Sequence, residues 1–187
     1  MIILDNSVLS AFKRLNELRL IKELFKDVAI PTGVYEEFVR GWSPEDLPKW
    51  ITVETLSDRA VEEAEKINLG MGEAQAVVLA KHRGCLLALD DEKAREDAVK
   101  SRISLIGSVG ILRIAYESCP IDTKERLKEL LDKLAEDLYL KNWILEWVLE
   151  AQKKQKIKDP KLGSRGCRAG GKTRGSPRTS SKRTSSF

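Results

Sequence analysis

Short apolar runs alternate with longer stretches of helical periodicity along this chain. The runs occupy residues 1–4, 28–30, 51–53, 85–89 and 103–106, and they are rich in leucine or β-branched residues. Runs that are apolar throughout are typical of parallel strands buried on both faces of a sheet. The longer stretches predict helices, which provide the crossovers that parallel strands require. The pattern therefore predicts repeated β-α units and an α/β fold.

The helices are expected between or after these runs. Their predicted ranges are residues 6–15, 17–26, 34–39, 57–67, 73–82, 92–101 and 108–117, with a loop at residues 41–48. When right-handed crossovers connect parallel strands, the strand ends and the helix starts that follow them share one edge of the sheet. Ligands of open sheets of this kind bind outside the carboxyl ends of the strands.

Acidic residues fall at four places on that predicted edge. Asp5 follows the first run, Asp90 and Asp91 follow the fourth, and Glu37 and Glu73 lie near predicted helix starts. Carboxylates that crowd together repel one another unless a cation is present, and hard cations prefer oxygen ligands. The sequence therefore predicts a metal site at the carboxyl edge of the sheet.

Five motifs carry a resemblance to a known family. They are Asp5-Asn6-Ser7, Pro31-x-x-Val34-x-x-Glu37-Phe38, Gly72-Glu73-Ala74-Gln75-Ala76, Leu89-Asp90-Asp91-Glu92-Lys93-Ala94-Arg95 and Ile106-Gly107-Ser108-Val109-Gly110. In this order, across roughly residues 1–150, they resemble the successive motifs of a PIN domain. More narrowly, they are similar to the prokaryotic PIN proteins related to VapC-type toxins.

The resemblance implies a three-layer α/β/α sandwich with a central parallel sheet of about five strands, followed by C-terminal helices. It implies an endoribonuclease that uses Mg²⁺ or Mn²⁺ to hydrolyse RNA phosphodiester bonds and forms the toxin of a toxin–antitoxin pair. The family's acidic positions fall on Asp5, Glu37, Glu73 and one or both of Asp90 and Asp91. Asp91 fits the usual spacing better than Asp90. All five are expected to be catalytic, and all except Glu37 are also expected to bind the metal.

Three further residues are predicted to position substrate or water. Ser7 either orients a ligand or caps the first helix. Ser108, behind Gly107 at a helix start, could offer its hydroxyl and backbone N–H groups to a phosphate. Arg95 lies one turn after the aspartates and either approaches a phosphate or pairs with them. His82, the sole histidine, is predicted to be structural, which disfavours Ser–His catalysis and histidine metal sites.

Each acidic position also has a purely structural interpretation. Asp5, and either Asp90 or Asp91, could simply cap a helix, since aspartate is a favoured N-cap residue. Glu73 suits the first turn of a helix because of the macrodipole. Glu37 would suit a solvated helix face.

Other protein classes fit the same residues less well. Haloacid-dehalogenase-type phosphatases need Asp-x-Asp after the first strand, whereas Ser7 occupies the second position here. Response-regulator receivers carry an acidic pair at the first strand and a single aspartate later, the reverse of this order. A non-catalytic PIN-like module that binds RNA or protein is the main alternative. A module of that kind would lack acidic residues at some of these positions, and all of the positions are acidic here.

Charge divides the chain into two parts. With 187 residues and 42% hydrophobic content, one domain over residues 1–150 is expected. All 29 acidic but only 26 of the 33 basic residues fall in residues 1–162, so the net charge of +4 conceals a body of −3. Residues 151–187 are predicted to be a disordered basic tail. This tail either binds nucleic acid or is an expression-derived or read-through extension.

Two apolar stripes follow residue 120. They are Leu127, Leu130, Leu131 and Leu134, and then Leu140, Trp143, Ile144, Trp147 and Val148. Each stripe could pack in the core, form a homodimer surface or line an antitoxin groove. The sequence has no membrane-length apolar segment and no signal-peptide pattern, and its cysteines are scattered, so we expect a cytoplasmic protein in a reducing compartment.

Overall fold

The computed structural model describes residues 1–100, 102–137 and 142–152. Its strands are β1 (Ile2–Leu4), β2 (Val28–Pro31), β3 (Ile51–Glu54), β4 (Leu86–Ala88) and β5 (Leu105–Ile106). Within the described residues they form one parallel sheet in the order β3-β2-β1-β4-β5. Helices flank this sheet, so the α/β/α sandwich that the sequence predicted is confirmed.

The helices follow the predicted order with shifted ends. They are α1 (Asn6–Arg14), α2 (Leu18–Leu24), α3 (Thr32–Gly41), α4 (Asp58–Glu65), α5 (Met71–Arg83), α6 (Glu92–Lys100), α7 (Ser108–Glu117), α8 (Lys124–Asp137) and α9 (Asn142–Leu149). A short 3-10 helix, Pro44–Asp46, lies within the predicted loop. Helices α3 and α5 both begin two residues earlier than predicted.

The centre of the sheet positions the first acidic residue. All three residues of β1 are fully buried, with β2 on one side and β4 on the other. Helix α5 contacts all three of these strands. Its buried face includes small residues such as Ala76 and Ala80, which allow a helix to approach a sheet closely. The carboxyl end of β1 therefore lies between β2 and β4, and helix α5 packs against all three strands.

The first apolar stripe near the C-terminus belongs to the core. Its four leucines on α8 are at most 1% exposed, and they join the cluster built on the sheet. On α9, Val148 is fully buried whereas Trp147 is 44% exposed. Leu140, the side chain of Trp143 and residues 153–187 lie outside the described part, so the tail stays a prediction from sequence. None of the described helices has the length and apolar character needed to cross a membrane.

Candidate functional site

The ends of the two central strands bring the first and last acidic positions together. Asp5 directly follows β1, and its backbone N–H donates to the carbonyl oxygen of Ala88 at 3.0 Å. The backbone N–H of Asp90, two residues beyond β4, donates to Oγ of Ser7 at 3.4 Å. Asp5 and Asp90 are therefore neighbours at the carboxyl edge, as the strand pattern predicted.

One carboxylate oxygen of Asp5 accepts two hydrogen bonds, whereas the other accepts none from the described residues. Its Oδ2 accepts hydrogen bonds from the N–H and Oγ of Ser7, at 2.9 and 2.6 Å, and so caps α1. Asp5 is only 1% exposed, and its Oδ1 is buried without a hydrogen bond from any described residue. A buried carboxylate oxygen that lacks a partner is unfavourable unless a ligand satisfies it. The cap alone therefore does not account for Asp5.

Glu37 lies on α3 and points to the start of α5. Its Oε1 accepts a hydrogen bond from the N–H of Gly72 at 3.1 Å. Burial raises the pKa of Glu37, and the charge of Asp5 adds to this, against the lowering effects of the Gly72 hydrogen bond and Arg40. Glu37 is half-buried and electrostatically coupled to Asp5, so the solvated-face interpretation does not describe it.

Glu73 occupies the first turn of α5. Its Oε2 accepts a hydrogen bond from the N–H of Gly70 at 3.2 Å, which helps to satisfy the start of the helix. Burial raises the pKa of Glu73, and the charges of Asp5, Asp91 and Glu37 raise it further. Glu73 is therefore close enough to three other acids of the carboxyl edge for their charges to raise its pKa.

The two adjacent aspartates have different environments. Asp90 accepts two hydrogen bonds from Ser108, from its N–H to Oδ1 at 2.8 Å and from its Oγ to Oδ2 at 2.6 Å. Burial raises the pKa of Asp90 despite these bonds and the nearby charge of Arg95. Asp91 is exposed, and its Oδ1 accepts from the N–H of Ala94 at the start of α6 at 2.7 Å. Asp90 is thus fixed by the protein, whereas Asp91 faces solvent.

The structure shows which groups two of the predicted positioning residues contact. Ser108 is fully buried, and because both of its donors go to Asp90, they are not directed at a phosphate. Nη1 of Arg95 donates to the carbonyl oxygen of Leu89 at 2.7 Å, and its charge lowers the pKa of Asp90, which agrees with pairing to the aspartates. Ser7 both caps α1 and contacts Asp90.

The charge of Asp5 acts on three of the other four acids. Its carboxylate raises the pKa values of Glu37, Glu73 and Asp90, and Asp91 couples to the same group through Glu73. Among the described residues, no three His, Cys, Asp or Glu side chains are close enough to form a complete metal-binding group. The donors are all oxygens, and Asp5 Oδ1 is buried and unpartnered, which fits a hard divalent cation.

Sequence reasoning missed the residues that hold the acids in place. The side chain of Gln75 accepts a hydrogen bond from the N–H of Gly33 at 2.8 Å, which joins α5 to α3. A Cβ on Gly107 would lie 2.8 Å from Oδ1 of Asp90 and 3.1 Å from Nη1 of Arg95. Both Gln75 and Gly107 occur in the motifs quoted above, but their partners lie far away in the sequence.

His82 takes no part in this edge. Its Nε2 lies 2.8 Å from Oε2 of Glu63 on α4, in an exposed contact that also includes Lys81. The expectation that the sole histidine plays a structural role agrees with this placement.

An α/β/α sandwich with clustered carboxylates at the carboxyl edge of its central strands defines a class suited to metal-assisted chemistry on phosphate esters. A family model described as a PIN domain matches residues 1–154, and the chain belongs to the PIN-domain family. PIN domains are generally nucleases, which are hydrolases, and they typically depend on divalent metals. No curated protein matches the chain.

Proposed function

We propose that this PIN-domain protein is a Mg²⁺- or Mn²⁺-dependent endoribonuclease that hydrolyses RNA phosphodiester bonds. The observation that carries the proposal is the buried Oδ1 of Asp5, which has no hydrogen-bond partner among the described residues and whose carboxylate acts electrostatically on three other acids, Glu37, Glu73 and Asp90. A purely structural edge would not need an unsatisfied buried carboxylate oxygen beside further negative charge. The acidic positions whose loss would mark a non-catalytic module are all present.

The chain's own residues divide the work of such a site. Ser7 fixes the Oδ2 side of Asp5, so that Oδ1 is presented to a ligand. Asp5, Glu73, Asp90 and Asp91 would hold the cation once their side chains close around it, since no three of them form a complete metal-binding group in this structure. Glu37, with its raised pKa, is suited to accept a proton from an attacking water. A bound divalent cation supplies Lewis-acid polarisation of the phosphodiester and lowers the pKa of water.

We also propose a role as the toxin of a toxin–antitoxin pair, with an antitoxin and a second copy of the chain as partners. This part rests on the motif resemblance to VapC-type proteins. The leucines of α8 are buried in the core, so they form neither an open groove nor a dimer surface. Trp147, at 44% exposure, is the most exposed member of the second stripe within the described residues, and the guanidinium of Arg113 lies over its ring at 4.0 Å.

A cleavage assay with matched substitutions tests the proposed activity. Protein freed of metal by a chelator is incubated with labelled single-stranded RNA, or with DNA of the same sequence, with Mn²⁺, Mg²⁺ or neither. Asp5→Asn should lower the cleavage rate more than about a thousandfold, because the site loses a charged ligand. The matched control is Asp27→Asn, an exposed aspartate just before β2, at the opposite edge of the sheet.

The outcomes separate the alternatives. Metal-dependent cleavage of RNA by the wild type and Asp27→Asn, with loss in Asp5→Asn, supports the proposal. Equal cleavage by Asp5→Asn contradicts the site. Binding of RNA without cleavage under every metal condition supports the non-catalytic alternative, and cleavage confined to DNA contradicts the substrate class.

A further inference from the structure

The first turns of α3 and α5 hold one another through a reciprocal pair of hydrogen bonds. The N–H of Gly33 on α3 donates to Oε1 of Gln75 on α5 at 2.8 Å. In the opposite direction, the N–H of Gly72 on α5 donates to Oε1 of Glu37 on α3 at 3.1 Å. Each helix therefore supplies an acceptor for the other helix's first turn.

Neither helix can satisfy these two donors by itself. The first four N–H groups of a helix lack partners within the helix and need caps or water. Neither Pro31 nor Gly70, which precede α3 and α5, caps its helix with a side chain. Gly33 and Gly72 are both buried, so water does not replace the missing caps. The contact across the two helices is what satisfies them.

The two glycines also allow the helices to come this close. A Cβ on Gly33 would lie 2.8 Å from Oε1 of Gln75 and 3.3 Å from Cα of Gly72. A Cβ on Gly72 would lie 2.5 Å from Oε1 of Glu37. These distances are too short for a side chain, so the close approach that forms the two hydrogen bonds requires glycine at both positions.

We propose that Gln75 is a positioning residue: its amide oxygen sets the separation of Glu37 and Glu73 before a cation binds. The inference rests on the metal-dependent function proposed above and adds a residue to it. Glu37 lies on the helix that Gln75 holds, and Glu73 lies two residues before Gln75 on its own helix. A neutral amide accepts the hydrogen bond without adding negative charge to an edge where the acids already repel one another.

The test measures Mn²⁺ binding by calorimetry on metal-free protein, with RNA cleavage as a second readout. Gln75→Leu removes the acceptor, and Gln75→Asn keeps the amide on a side chain too short to reach Gly33. Both should weaken Mn²⁺ binding about 10- to 100-fold, the effect typical of losing a group that orients metal ligands. The Mn²⁺ concentration for half-maximal cleavage should rise in parallel, with a smaller change in the rate at saturating Mn²⁺. Gln75→Glu retains an acceptor oxygen but adds a negative charge, so its Mn²⁺ binding should lie between that of Gln75→Leu and that of the wild type.

A control separates positioning from general loss of stability. Thr123→Val removes the acceptor of another helix-start donor, the N–H of Arg126, at 3.1 Å in α8. It should lower the melting temperature and leave Mn²⁺ binding unchanged. If Gln75→Leu does not fold, Gln75→Asn decides the question by the same measurement.

The failures of the two proposals can be told apart. A wild type that neither binds Mn²⁺ nor cleaves RNA contradicts the proposed function. A wild type that binds Mn²⁺ while Gln75→Asn, and Gln75→Leu where it folds, bind equally well overturns the role of Gln75 and leaves the proposed function standing.

Discussion

The buried carboxylate of Asp90 is held in place by a single residue, Ser108. Ser108 donates both its backbone N–H and its hydroxyl to the two oxygens of Asp90. Burial alone would disfavour the ionised form, and these two hydrogen bonds oppose that effect on the pKa of Asp90. Ser108 therefore acts on the acidic edge through Asp90 rather than by contact with substrate.

At the residue scale, we expect Ser108→Ala to destabilise the protein by about 1–3 kcal/mol, because Oδ2 of Asp90 loses its hydrogen-bond donor. The free energy of unfolding in urea measures this loss. Ser10→Ala removes a hydroxyl that donates to Oδ1 of Asn6 at 3.1 Å in a half-buried position, and its effect should stay within about 0.5 kcal/mol. Equal effects of the two substitutions would show that the contact with Asp90 carries no particular weight.

The acids themselves were predictable from the sequence, whereas their supports were not. Asp5 and Asp90 follow apolar runs, and a strand end is a local signal that places a residue at the carboxyl edge. The partner of Asp90 is Ser108, 18 residues later, and this pairing depends on how β5 lies beside β4. A hydroxyl at a helix start looks the same in sequence whether it faces a phosphate or a buried carboxylate.

At the element scale, the close approach of α3 and α5 depends on residue size. Gly72→Ala places a methyl group 2.5 Å from Oε1 of Glu37, so the two helices must move apart or the glutamate must turn away. We expect a loss of about 1–3 kcal/mol in the free energy of unfolding. Chemical denaturation measures the change.

The matched control for that substitution lies on the same helix pair. A methyl group added to Gly41, the last residue of α3, would meet no tertiary neighbour within 4 Å among the described residues. Gly41→Ala should therefore leave stability unchanged or raise it by up to about 1 kcal/mol, because alanine has the higher helix propensity. A Gly72→Ala protein as stable as Gly41→Ala would mean that the two helices are not tightly fitted.

Helix ends also show what the sequence could not predict. The apolar spacing predicted α3 from residue 34, but the helix begins at Thr32 because the N–H of Gly33 is satisfied by Gln75 on another helix. Local caps are visible in a sequence, and Asp5 before α1 is one of them. An acceptor 42 residues away is not visible, so the start of α3 required the tertiary structure.

At the scale of the whole molecule, the raised pKa values of Glu37, Glu73 and Asp90 predict a pH dependence. Between the ordinary and the raised values, the folded protein binds more protons than the unfolded chain, so stability falls as pH rises through that window. The metal-free protein should therefore become more stable as the pH is lowered from neutral toward the ordinary carboxylate pKa values. Urea denaturation at several pH values measures this trend. Asp5→Asn should reduce this pH dependence but not abolish it, because burial is the largest cause of all three shifts and the charge of Asp5 is a smaller one.

Bound Mn²⁺ should reverse the pH dependence of the protein's stability. Carboxylates must be deprotonated to bind a metal, so the stabilisation by Mn²⁺ should shrink as the pH falls. At neutral pH, Mn²⁺ at about 100 times its dissociation constant should add about 2.7 kcal/mol to the free energy of unfolding. A melting temperature that does not move at saturating Mn²⁺ would count against the metal site.

The basic tail can be tested without knowledge of its structure. Deletion of residues 163–187 removes seven basic residues and no acidic ones. Metal-dependent cleavage should persist, and only the salt-sensitive part of RNA affinity should fall, because flexible basic residues act by neutralising phosphates. Cleavage lost even at saturating RNA would assign the tail to the functional site.

The contact between Ser108 and Asp90 can form only late in the synthesis of the chain. The ribosome makes the chain from its N-terminus, so all five acids of the carboxyl edge, from Asp5 to Asp91, are present in a nascent chain before Ser108 is added. Such a chain lacks the donors to Asp90 as well as α7 and the buried leucines of α8. We therefore expect a partly made copy of the chain to be inactive. For a ribonuclease, this would spare the messenger from which it is being translated.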